Sequence, residues 1–191
     1  MPLILPKTGH FEYEEKRSKF LGFCTAISTE KEARNIITEI RNSHTRANHN
    51  VFAYATVNDN IIRFSDDGEP NGTAGMPILN VFQKSGIIDY VCVVTRYFGG
   101  TLLGAGGLVR AYTKTAKGAM DDAGPTELII STLYQITCVY SNFDKLKYNF
   151  DKWGIEIVDI VYTDICTLTV RVTNSQETLF HSGDFYVISC L

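Results

Sequence analysis

The chain has 191 residues, 45% of them hydrophobic and 20% charged, with a formal net charge of −3; this is the composition of an ordinary soluble globular protein long enough for one or two cores. The charge is uneven, with a balance of +1 over residues 1–125 and −4 over residues 126–191, so neither part is a basic nucleic-acid module of the usual kind and any phosphate affinity has to come from local clusters. No stretch approaches the roughly 18 apolar residues of a membrane helix, and the start, MPLILPKTGHFEYEEKR, lacks the basic-then-apolar order of a signal peptide, so an unanchored cytoplasmic protein is expected.

In chain order, HFEYEEK and FLGFCTAI read as strands. Thr29 and Glu32 then form a capping-box pair ahead of Ala33, Ile36, Ile37 and Ile40, whose spacing makes one apolar helical stripe. VFAYATV and IIRF flank Asn58, Asp59 and Asn60, a hairpin signal. MPILNVFQKSG predicts a short helix opened by Pro77 and closed by Gly86, and IIDYVCVVTRYF is nearly continuously apolar, as in a strand buried on both faces. A helix from about Leu108 to Ala123 follows, with Arg110, Lys114 and Lys117 on one side and Leu108, Tyr112, Thr115 and Ala119 on the other. The basic stripe is read as a solvated helix face, with a phosphate track as the alternative.

Gly124 and Pro125 end that helix and precede a new strand pattern, which divides the chain into domains at 1–125 and 126–191. The second part reads strand (Thr132 to Tyr140), helix (Phe143 to Trp153, stopped by Gly154), two strands around Thr163 and Asp164, a short helix near Glu177 to Phe180, and a final strand. That βαββαβ order is the ferredoxin-like arrangement, so the fold class expected is α+β in two domains. Cys24, Cys92, Cys138, Cys166 and Cys190 are odd in number and contain no C-x-x-C pair, which favours reduced, buried thiols over disulfides or zinc.

Two stretches carry the chemistry. VVTRYFGGTLLGAGGLVRAY, residues 93–112, holds five of the fifteen glycines: Gly99, Gly100, Gly104, Gly106 and Gly107. Between strand and helix such a backbone either packs tightly on another backbone or presents amides and a helix N-terminus to an anion. A P-loop fails because Ala105 follows the candidate glycine, and GxGxxG is not supplied, so no nucleotide cofactor is expected. RFSDDGEPNGTAGMP, residues 63–77, gathers Asp66, Asp67 and Glu69. Clustered carboxylates bind a divalent cation or act in acid–base work, but calcium-loop spacing is absent and the same residues form turns and cap helices. His49, with His44 and Arg46 nearby, lies at a strand start, and no triad surrounds it.

The pairing of RFSDDGEPNGTAGMPIL with VVTRYFGGTLLGAGGLVRAY closely resembles the IMPACT/YigZ family of translation-linked proteins, and the likeness extends upstream through KRSKFLG and ANHNVFAY. The RWD domain that precedes the shared module in eukaryotic members has no counterpart in these residues, so the resemblance is to the bacterial type. It implies a first domain similar to domain 2 of ribosomal protein S5 and a second similar to a ferredoxin-like domain of elongation factor G. The motif positions it carries over include Ser65, Asp66, Asp67, Gly68, Glu69, Arg96, Tyr97, Gly99, Gly100, Gly104, Gly106, Gly107 and Arg110. Val51 stands where the family commonly has a cysteine, and Met76 where a basic residue is usual.

The function expected is a translation-linked regulatory or binding protein. A groove of Arg96, Arg110, the glycine backbone and His49 would accept RNA phosphate or the ribosomal surface, with Tyr97 and Phe98 for stacking. The alternative is a metal-assisted hydrolase built on Asp66, Asp67 and Glu69, for which no nucleophile is evident. A third reading has the acidic SDDGEP loop meeting a translation-associated protein, as in the eukaryotic relatives. No cofactor, resident metal or membrane partner is assigned.

Overall fold

The computed structural model describes the backbone of residues 2–182 and 186–190. The chain divides into two compact units, Met1–Leu128 and Ile129–Leu191. The first contains β1 (Leu3–Ile4), β2 (Gly9–Glu15), β3 (Ser18–Ala26), α1 (Glu30–Ser43), β4 (His49–Thr56), β5 (Ile61–Ser65), α2 (Gly75–Ser85), β6 (Tyr90–Tyr97), α3 (Gly104–Ala123) and β7 (Thr126–Glu127). The first unit extends past Pro125 because Thr126 and Glu127 pair with Ile4 and Leu3.

Five of these strands form one antiparallel sheet in the order β2-β3-β6-β4-β5. Strand β6 is central, and its alternation serves two cores. Tyr90, Cys92 and Val94 face the core shared with α2 and α3, while Val91 and Val93 face the core under α1. The period of two therefore puts Arg96, at the far end of the strand, on the α2/α3 side. Opposite it stand His49 on β4 and Phe20 on β3.

Local chemistry sets the helix ends. Thr29 accepts the Glu32 amide at 3.3 Å, and the Glu32 carboxylate returns to the Ser28 amide at 2.7 Å, a capping box displaced by one residue on its return arm. Helix α2 stops at Gly86, whose φ of 71° is the left-handed stop expected there. Helix α3 lies flush on the β2–β3 ribbon, since a Cβ on Gly9 would stand 2.0 Å from the Ala119 carbonyl oxygen and one on Gly118 2.3 Å from the Phe11 ring. Its first helical residue is Gly104, not Leu108. Gly106 and Gly107 thus lie inside the helix, where packing of Leu108, Ala111 and Tyr112 in the core overrides their weak helix propensity.

The second unit contains β8 (Ser131–Cys138), α4 (Tyr140–Trp153), β9 (Glu156–Tyr162), β10 (Cys166–Thr173), α5 (Glu177–His181) and β11 (Tyr186–Cys190). Its sheet is antiparallel, in the order β11-β8-β10-β9, the strand order of the ferredoxin-like arrangement. Ile136, Leu168 and Val170 pack against Leu146 and Phe150 of α4 and Phe180 of α5. Cys24, Cys92, Cys138 and Cys166 are buried free thiols; the side chain of Cys190 lies outside the described residues.

Candidate functional site

The loop that follows β5 is built by its own acids. Asp66 accepts the amides of Gly72 at 2.9 Å, Ala74 at 3.0 Å and Gly75 at 2.8 Å, which closes the turn and caps the start of α2. Asp67, at a φ of 46°, takes the Asn50 amide at 2.6 Å on one oxygen and Arg41 Nη2 at 2.7 Å on the other. Its amide donates to Ser65 Oγ at 3.1 Å. Ser65, Asp66 and Asp67 are thus turned onto protein partners.

Glu69 points elsewhere. Its Oε1 accepts Arg96 Nη1 at 2.6 Å and the Tyr112 hydroxyl at 2.7 Å, and the Glu69 and Arg96 side chains are 3% and 6% exposed. Burial of two opposite charges is tolerated only with such close pairing and added hydrogen bonds. Burial first, then the charge of Glu69, pushes the Tyr112 hydroxyl strongly up, so it remains a proton donor. The Arg96 guanidinium lies between aromatic faces, 5.4 Å from the Phe20 ring centre and 5.5 Å from that of Phe98. Its Nη2 reaches Ser18 Oγ at 3.4 Å, while Nε is buried and unpartnered.

His49 stands beside this pair. Its Nδ1 donates to the Asp67 carbonyl at 2.8 Å, because a carbonyl oxygen only accepts, and this places Nε2 3.9 Å from Glu69 Oε1. His49, Glu69 and Arg96 form one wall of a cleft of about 360 Å³, and Phe98, Leu102, Gly104 and Ala105 form another. The first turn of α3 borders it without a side-chain cap and without an acidic residue. Its leading amides are therefore the unpaired donors of a helix N-terminus.

The structure brings together His49, Glu69, Arg96 and Gly104, holds His49 on the Asp67 carbonyl and the Gly99 amide on Ser18 Oγ at 3.2 Å, and turns the carboxylates of Asp66 and Asp67, Tyr97 and Arg110 away from the cleft. The expected electropositive pair of Arg96 and Arg110 is corrected: the Arg96 charge is met by Glu69, and Arg110 is exposed on α3 outside the cleft. The carboxylate cluster is corrected as well, since Asp66, Asp67 and Glu69 diverge onto an α2 cap, Asn50 with Arg41, and Arg96 with Tyr112. Among the described residues no group of three or more His, Cys, Asp or Glu side chains stands close enough to hold a metal ion. Tyr97 lies on the opposite face of the sheet from Arg96, its hydroxyl 2.8 Å from His44 Nδ1.

The glycines divide by role. A Cβ on Gly99 would meet the Arg17 carbonyl carbon at 2.0 Å, so this glycine admits the β2–β3 turn against the loop. Gly100 is exposed, Gly107 packs on Leu103, and Gly106 lies beside the guanidinium of Arg110. Sequence reasoning missed Tyr112 and Ser18 as members of the site. Tyr112 left one signal: a tyrosine on the buried face of a helix needs a partner for its hydroxyl.

Fold and site together define a two-unit α+β protein whose larger unit holds a buried Arg–Glu–Tyr network under a small cleft. The chain belongs to the IMPACT family: residues 16–120 match the model of the Impact N-terminal domain. It is 34% identical over 175 residues to the IMPACT family member YvyE of Bacillus subtilis, covering 91% of this chain and 81% of that one. To the IMPACT family member YigZ of Escherichia coli it is 35% identical over 170 residues, covering 87% and 83%. A crystal structure described only as that of a hypothetical protein superposes with a TM-score of 0.63 at 27% identity, over 98% of this chain and 96% of the other.

Proposed function

We propose that this chain is a translation-linked regulatory protein that binds RNA by seating a backbone phosphate at the N-terminus of α3. The translation link rests on membership of the IMPACT family, and the seat rests on one observation: the cleft is bordered by a helix start that bears neither cap nor acid. Three features support the phosphate reading. Arg110 folds back beside Gly106 in that first turn, and with Lys114 and Lys117 it forms an exposed stripe with no ion pair among the described residues. Phe98 and Leu102, 42% and 82% exposed, project at the lip, where a base can stack or pack. The Arg96–Glu69 pair forms a neutral, rigid wall, so the attraction comes from helix amides and the α3 stripe.

The test is a salt titration of binding to a labelled oligouridylate with two variants. Ala105→Glu places a carboxylate in the first turn, where it stabilises the helix but occupies the seat; affinity at low salt should fall about 10-fold or more. Arg110→Ala should lower the slope of log affinity against log salt by about one. Unchanged affinity and slope in both variants would overturn the phosphate seat.

A further inference from the structure

The two edges of the five-stranded sheet are finished differently. Strand β2 carries Glu12, Glu14 and Glu15, and its His10 amide donates to Asp122 of α3 at 2.8 Å, so that edge is charged and partly covered. Strand β5 has the sequence IIRFS, with Ile62 50% and Phe64 41% exposed, and no strand pairs with its outer side among the described residues. An unpaired edge bearing two large exposed apolar side chains is the kind that natural sheets normally blunt.

The surfaces on either side of β5 differ in chemistry. Ile62 and Phe64 stand opposite Ala55 and Ala53 on the α2/α3 face. There a groove of about 430 Å³ runs past Ala55, Ile61, Ile62, Gln83 and Ile87. Arg63 stands opposite Tyr54 on the α1 face, where Arg34, Arg41, Phe52, Tyr54 and Arg63 line a hollow of about 520 Å³. Two of the three guanidiniums are matched, Arg34 by Glu30 at 2.8 Å and Arg41 by Asp67 at 2.7 Å. Arg63 has no carboxylate at ion-pair distance among the described residues, and its Nη1 rests on the Ile62 carbonyl at 3.1 Å.

From this arrangement we infer that β5 is a docking edge for an extended acidic peptide segment of a partner protein, which adds as a sixth strand. A strand alternates its side chains between the two faces with a period of two. A segment alternating apolar and acidic residues would lay the first set along the Ile62 groove and the second toward Arg63, while its backbone bonds to β5. Charge selects this occupant over a second copy of the chain, because β5 paired about a twofold axis brings Arg63 toward its own symmetry mate. The edge is separate from the α3 seat, so the inference does not depend on RNA binding.

The probe is a labelled peptide of about nine residues alternating glutamate and valine, added to the full chain and followed by fluorescence anisotropy. Saturable binding with a Kd on the order of 10–100 μM is expected. Amide exchange within Ile61–Phe64 should slow in the complex, and a peptide N-methylated at alternate residues should lose binding. Arg63→Glu should weaken the peptide about 10-fold or more. The exchange and N-methyl measurements use the unsubstituted chain, so misfolding of the variant does not decide the result. The inference is overturned by equal binding of the N-methylated peptide, by no slowing of exchange in β5, by self-association through β5 that the peptide does not displace, or by no saturable binding up to about 1 mM.

Discussion

Replacing Glu69 with alanine probes the buried network directly. The change removes the acceptor of both Arg96 Nη1 and the Tyr112 hydroxyl and leaves a guanidinium enclosed between Phe20 and Phe98. With both charged side chains at 6% exposure or less, solvent does little to compensate. Breaking such a pair from one side costs about 3–5 kcal/mol, and an orphaned hydroxyl adds about 1 kcal/mol, less than additively because the bonds share one oxygen. A loss of about 4–5 kcal/mol is roughly a quarter or more of the stability of a typical domain, and for a unit of this size it lowers Tm by roughly 12–25 °C. Thermal unfolding followed by far-ultraviolet circular dichroism gives the midpoint, and amide exchange at Val91–Val94 assigns it to the first unit. The companion variant, Glu69→Leu with Arg96→Met, removes both charges and should recover at least half of the loss. A single variant that loses less than about 1 kcal/mol, or a double variant no more stable than the single, would refute the reasoning.

Two further outcomes follow from the same unit. Gly99→Ala forces a Cβ to within 2.0 Å of the Arg17 backbone and should cost about 2–4 kcal/mol in urea unfolding; stability unchanged from the parent would mean that the loop moves aside at no cost. Burial pushes the Cys24 thiol up from 9 to about 12 and raises the Tyr90 and Tyr112 hydroxyls above their ordinary 10. Above pH 9 the folded state then holds protons that the unfolded chain releases, so stability is complete below that pH and declines as pH rises toward 12. Urea midpoints taken from about pH 8 to about pH 11 should fall steadily, and a flat profile would count against these burial-driven shifts.

How much of this was legible in the sequence depended on how local the cause was. The Thr29–Glu32 box, the left-handed stops at Gly86 and Gly154, and the alternation of β6 between two cores are set by neighbours within a turn or a strand, and pattern reading reached all of them. The start of α3 misled because three of the four residues in Gly-Ala-Gly-Gly are glycines with poor intrinsic helix preference, and only the docking of Leu108 and Tyr112 makes the first turn worthwhile. The Arg96–Glu69 pair joins a strand end to a loop 27 residues away. Nothing in spacing or composition says that one arginine of the motif is neutralised while Arg110, fourteen positions on in the sequence, stays in solvent. The acids behaved likewise: Asp66 could be read as a turn former from its glycine neighbours, but its three amide partners, including two at the start of α2, appear only once the loop is closed.

The flush bearing of α3 on the β2–β3 ribbon reaches beyond packing. Gly9 and Gly118 act by what they lack, letting a rigid rod rest against the sheet at its trailing half. A rod fixed there has its leading end fixed too, so the gap between Gly104 and the wall formed by His49 and Arg96 is gauged about four helical turns from where it opens. A methyl group added at Gly118 would act as a shim, tilting the rod and changing that aperture without touching any residue that lines it.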